Sequence, residues 1–139
     1  MPDPIPPSNT AMAVAASALK AQQSRMRIIA ENIANAQSTA LAAGGERYRR
    51  QIPVFQAREI DGATGVTLAE VRPDQSDFRS EYDPSHPAAN AEGYVLRPNV
   101  DTLVEAMDMR EAQRAYEANL NVIETARSMD ARTLDILKK

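Results

Sequence analysis

Three groups of residues in this chain have types and spacing that could do chemistry. The lone histidine, His86, stands near Glu81 and Asp83, a combination able to hold a metal ion or to exchange a proton. Pro84 and Pro87 flank it, however, and make it a residue of a stiffened turn; a single imidazole is also too little for a His-rich metal site or a Ser–His–Asp triad. Arg47, Arg49 and Arg50 surround Tyr48 and could grip an anion or a phosphate. Glu46 and Glu59 lie on either side of them, which favours a solvated or subunit-bridging surface. The pairs Gly44 with Gly45 and Gly62 with Gly65 lack the Lys-Ser/Thr of a phosphate loop and read as turn glycines. The chain has no cysteine, which excludes thiolate zinc sites, iron–sulfur clusters, disulfides and cysteine nucleophiles together. The expectation is a chain with no catalytic, cofactor-binding or metal-ligating residues.

The composition points the same way. At 139 residues the chain is about one domain in length. Apolar residues make up 43%, but alanine carries much of that total, while aromatics are 4% and tryptophan is absent. Such a chain forms helices readily and is short of the bulky side chains that fill a compact core. Its net charge of −3, with no basic block, makes nucleic acid and anionic lipid poor partners. The uncharged run from Ala11 to Leu19 is too short to cross a bilayer. Residues 1–10 carry Asp3 and four prolines but no Lys or Arg, so no cleaved secretory signal is expected.

Glycine and proline divide the chain. Residues 9–37 contain neither, residues 38–98 hold all five glycines and five of the nine prolines, and residues 99–139 again contain neither. The expected segments are a Pro-rich extension over 1–8, an N-terminal helix region over 9–43, a small β-rich and loop insertion over 44–98, and a C-terminal helix over 99–139. Ser8, Asn9 and Thr10 can cap the first helix. Asn99 can cap the last, where Thr102 and Glu105 have capping-box spacing. In the insertion, Ile52 to Phe55, Val66 to Val71 and Tyr94 to Leu96 read as short strands, and residues 83–87 as an extended loop.

The helices carry a heptad pattern. Met12, Leu19, Met26 and Ile33 recur every seven residues, as do Ala15, Gln22, Ile29 and Ala36 three positions later. Near the other end, Met109, Tyr116, Ile123 and Leu137 share one heptad position, and Ala106, Gln113, Leu120 and Leu134 share another. A second seam, Ala112, Ala115, Asn119, Val122, Ala126 and Met129, lies about 100° round the same helix. One partner helix cannot cover both stripes, and in so small a chain some neighbours should be other copies. The fold expected is mainly α, with the terminal helices pairing as a coiled coil and a small β-rich insertion between them. The residues expected at subunit interfaces are Met12, Leu19, Met26, Ile29, Ile33, Met109, Tyr116, Leu120, Ile123 and Met129. Asn32, Asn35 and Asn119 are expected to set register there, because a misaligned buried amide goes unpaired.

The residues from Ala21 to Ala36, with Asn32-Ile33-Ala34-Asn35 at their centre, closely resemble the N-terminal signature of bacterial flagellar rod and hook proteins. The runs Gly93 to Asp101 and Arg114 to Asn119 resemble that family's C-terminal signature. Short length, Tyr48-Arg49-Arg50 and the loop Tyr82 to Pro87 resemble the proximal-rod branch. The resemblance spans residues 17–139. Two departures stand out: the Pro-rich extension, and Gln37-Ser38-Thr39-Ala40 where hook and distal-rod relatives carry Thr-Pro-Gly-Tyr. The resemblance implies a non-enzymatic rod subunit of the flagellar basal body. It further implies passage through the flagellar type III export apparatus without signal cleavage, and a periplasmic location. It implies assembly with other copies and with rod proteins of the FlgB, FlgF, FlgG and FliE types. Two rival readings need different features. A small cytoplasmic helical enzyme would need a preformed site, for instance around Arg25, Arg114 and Glu117; a coiled-coil adaptor or chaperone would leave the insertion without a role.

Overall fold

A computed structural model describes residues 7–138. Most of the Pro-rich extension, residues 1–6, lies outside the described residues. The elements run α1 (Pro7–Ala34), β1 (Gln51–Ile60), β2 (Ala63–Pro73), β3 (Arg79–Tyr82), β4 (Tyr94–Arg97) and α2 (Thr102–Leu137). Two long helices thus enclose an insertion made of two separate two-stranded antiparallel sheets, β1-β2 and β3-β4.

α1 begins on Pro7, whose fixed φ suits a first helical position, so Ser8, Asn9 and Thr10 stand inside the first turn instead of capping it. The helix stops at Ala34, well short of Ala43, where the expected helix region ends. The amide of Asn35 turns back to the Glu31 carbonyl at 2.8 Å, and two arginines then take the carbonyls beyond it: Arg79 binds Ala36 O at 3.0 Å and Arg97 binds Gln37 O at 2.8 Å. These cations satisfy the carbonyl-rich end of the helix and tie β3 and β4 to it.

α2 lies antiparallel along α1. Arg25 meets Glu111 at 3.5 Å, while Ser8 and Ala11 at the start of α1 lie beside Thr125, Ala126 and Met129. The buried residues of α2 are Glu105, Ala112 and Ala126, with Ala115 and Asn119 half-buried between them. The second seam read from the sequence is therefore the one that faces α1, where Ala15, Ala21, Ile28 and Ile29 are buried. Small side chains on both sides let the two backbones approach. Asp101 caps α2, its carboxylate accepting from the backbone N–H groups of Leu103 and Val104. The predicted capping box does not form, because Glu105 is turned inward and only 1% exposed.

The long hairpin β1-β2 lies on α1. Its turn is Asp61-Gly62, both with positive φ (51° and 82°), the two-residue geometry that matches strand twist. The register slips at Val54/Phe55, where Ala69 is the extra residue of a bulge. Gly65 sits close against its neighbours: a Cβ there would press on the Ile60 side chain and stand 2.8 Å from the Ser17 Oγ of α1. That hydroxyl accepts from Val66 N at 3.2 Å and donates to Val14 O at 2.7 Å. β3-β4 forms a second, smaller unit whose core is Ala40, Ala88 and Val95.

Candidate functional site

Two of the three arginines around Tyr48, Arg49 and Arg50, are drawn into hydrogen bonds within the fold. Arg50 donates from Nε to Glu105 Oε1 at 2.5 Å and from Nη1 to Asp74 Oδ2 at 3.2 Å, and Asp108 lies 3.9 Å from Nη2. Its backbone N–H donates to Asn99 Oδ1 at 2.8 Å. Arg49 donates to the carbonyls of Asp74 and Ser76, and its guanidinium lies 4.2 Å from the centroid of the Phe78 ring. Burial works against the Arg50 charge, but the Glu105 hydrogen bond and charge, with those of Asp74, outweigh it and hold Arg50 above its ordinary value. Asp74 is held below the usual carboxylate range, first by the backbone N–H and hydroxyl of Ser76 and then by Arg50.

Asn32 completes this clasp on the α1 side. Its amide donates to Gln51 O and accepts from Gln51 N, both at 2.9 Å, so one side chain pairs with a strand backbone as another strand would. Tyr48 donates its hydroxyl to the same Asn32 Oδ1 at 2.5 Å. Burial raises the Tyr48 pKa, and the Glu31 and Glu105 charges add to the effect, which keeps the phenol protonated as a donor. Asn32, Arg50, Asp74, Asn99 and Glu105 together bolt α1, β1, β2 and α2 at one end of the helix pair. These contacts are made within the chain, so the arrangement does structural work.

His86 is likewise absorbed. Its Nδ1 accepts from Ala88 N at 3.0 Å, and Nε2 lies 3.4 Å from the Thr39 hydroxyl, so the ring organises the turn from residue 83 to residue 89. Arg25 pairs with Glu111 across the helices. No group of three or more His, Asp or Glu residues suited to a metal occurs among the described residues.

The residues expected at subunit interfaces fall into three sets. Ile29 and Asn32 are buried within the chain. Met12, Leu19 and Met26 on α1 are half-buried, as are Met109, Tyr116 and Ile123 on α2, and on the register set by the Arg25–Glu111 pair the two trios come level. Ile33, Leu120 and Met129 are exposed. Asn119 donates to the Ala115 carbonyl of its own helix at 2.7 Å, and Asn35 to that of Glu31. Beyond the expected set, Leu103, Met107, Leu134, Ile136 and Leu137 on α2 are exposed apolar side chains.

Comparison with known proteins decides what such a surface belongs to. Residues 12–40 match the family model described as flagella basal body rod protein, and residues 91–136 match flagellar basal body rod FlgEFG protein C-terminal. The chain is 46% identical over 135 residues to the flagellar basal-body rod protein FlgC of Agrobacterium fabrum, an alignment covering 95% of this chain and 96% of the relative. It is 40% identical to the FlgC of Escherichia coli O6:H1 over 88% of this chain and 92% of the relative, and 38% identical to that of Bacillus subtilis over 90% and 95%. The chain belongs to the flagellar basal-body rod protein family. The first match covers most of α1 and the second takes in β4 and nearly all of α2; the β1-β2 hairpin lies between them, while Asn32, Asn99 and Glu105 of the clasp fall inside the matched segments. This is a family of structural rod proteins and not one of enzymes.

Proposed function

We propose that this chain is a structural subunit of the proximal rod, and that its terminal helices pack against neighbouring subunits in a coiled-coil-like layer to form a torque-transmitting shaft. The observation that carries this reading is the apolar surface that α1 and α2 leave open after packing on each other: Leu103, Met107, Leu120, Met129, Leu134 and Leu137 stand out along α2. Large apolar side chains left exposed on several sides of a 36-residue helix mark a surface that neighbouring subunits cover. In a shaft, torque is resisted when many such contacts are buried at once. Sliding one helix past its neighbours would expose apolar area at about 25 cal/mol per Å² along the whole length.

The neighbours are other copies and rod proteins of the FlgB, FlgF, FlgG and FliE types. Met12, Leu19, Met26, Ile33, Met109, Tyr116, Leu120, Ile123 and Met129 supply the packing surface. The family resemblance supports export through the flagellar type III apparatus without a cleaved signal, and a periplasmic location; no helix among the described residues is long and apolar enough to cross a membrane. The test is Leu120→Asp. Leu120 is 38% exposed, so a carboxylate is tolerated in the isolated chain but would be stranded without a partner in a packed assembly, at a cost of several kcal/mol. The expected result is normal synthesis with loss of rod assembly and swimming. Normal swimming would contradict the assignment.

A further inference from the structure

The β3-β4 unit presents a surface that the clasp and the helix stripes do not use. Tyr82 and Tyr94 are paired across the strands, 65% and 45% exposed, with rings edge-to-face at a centroid separation of 5.3 Å. Leu96 follows on the same face, whereas Val95 points the other way into the core. The pair is held in place. Gly93 has a φ of 87°, and a Cβ there would stand 2.9 Å from the Tyr82 ring and 3.1 Å from Pro84 Cβ, so the backbone presses against both. Beside Tyr94 and Leu96 a small notch is lined by Ala42, Gly44, Asn90 and Arg47. The Arg47 Nε is buried without a hydrogen-bond partner, and its guanidinium lies 4.8 Å from the Phe78 ring centroid. Among the described residues it forms no ion pair.

An exposed aromatic pair of this kind suits a polyproline II segment, whose rings stack on aromatic faces and whose carbonyls, free of internal hydrogen bonds, accept from phenol hydroxyls. The chain itself supplies a proline-rich segment ahead of α1, Pro2-Asp3-Pro4-Ile5-Pro6. The segment holds one charge, Asp3, which complements Arg47. It cannot reach the patch of its own chain. The 28 residues of α1 span about 42 Å at 1.5 Å each, and the patch is tied to the far end of that helix through Ala36 and Gln37. Six extended residues cover about 20 Å at most.

We infer that the Tyr82–Tyr94 patch binds the Pro-rich segment of a second copy of this chain, with Asp3 paired to Arg47. The contact joins one end of a subunit to the opposite end of the next. Such a head-to-tail contact extends into a filament unless a rotation closes it into a ring. It depends on neither the helix stripes nor the rod assignment.

The test is fluorescence anisotropy of a labelled synthetic peptide of residues 1–8 titrated with the full chain carrying Leu120→Asp, which removes helix-mediated assembly and so separates the two contacts. Saturable binding is expected. Tyr82→Ala or Tyr94→Ala should weaken it about tenfold, as loss of a central aromatic contact does. Because those variants also alter the small sheet, the peptide is varied as well: replacing its prolines with alanine should abolish binding, and Asp3→Asn should weaken it in a salt-sensitive way. As a second readout, a chain carrying Pro2→Cys should form a disulfide with a chain carrying Ala42→Cys on a background otherwise free of cysteine. No saturable binding, equal binding of the proline-free peptide, or no mixed disulfide would each overturn the inference.

Discussion

Replacing Arg50 with alanine strips the cation from Glu105, whose Oε2 already lacks a partner and whose side chain is almost wholly buried. Breaking a buried pair from one side costs about 3–5 kcal/mol, whereas removing both charges in favour of apolar side chains is near neutral. Arg50→Ala should therefore shift the urea midpoint far more than the double variant Arg50→Met with Glu105→Leu, and equal shifts would show that the pair is dispensable. Asp74 gives the clasp its pH dependence. Its carboxyl is depressed in the folded chain, so its contribution is complete above the unfolded value and is lost as pH falls through the usual carboxylate range and below. Stability measured by denaturation should fall on acidification through that window, and less so in Asp74→Asn. None of this was legible in the sequence, because the partners of Arg50 lie 24 and 55 positions away. One signal was present: Glu105 stands seven residues before Ala112, in line with Asn119 and Ala126, and a carboxylate at a seam position demands a buried cation.

The helices and the hairpin were legible because their signals are local. Heptad spacing gave both helices, and the apolar runs Ile52 to Phe55 and Val66 to Val71 marked the strands β1 and β2. β3 was missed because Arg-Ser-Glu-Tyr has no apolar alternation; β4 and the arginine contacts to the end of α1 fix it from outside. Both seams of α2 could be read, but not which one faces α1. The choice falls to the seam with alanines at 112, 115 and 126, since only small side chains allow close approach. The hairpin's seat on α1 is equally steric. Gly65→Val should disrupt it, because the added atoms would collide with Ile60 and with the Ser17 hydroxyl. The expected outcome is a loss of about 1–3 kcal/mol of stability together with faster amide exchange across residues 51–73. Unchanged exchange there would mean the hairpin does not lean on α1.

At the scale of the molecule, the clasp and the stripes divide the work. The clasp fixes one end of the α1-α2 pair to the insertion, while the other end, past Ser8 and Met129, is held by small side chains and leaves Leu134, Ile136 and Leu137 in the open. An isolated chain should open most easily where apolar contacts are fewest. Neighbours that bind only the folded helices would suppress that opening by mass action. The most direct test is amide hydrogen exchange on the purified single chain and on the same chain within isolated basal bodies. In the free chain the account predicts rapid exchange over the first half of α1 and over α2 beyond Asn119, with protection confined to the clasp end; after assembly, slow exchange should extend along both helices. Strong and equal protection of both helices before and after assembly would contradict it.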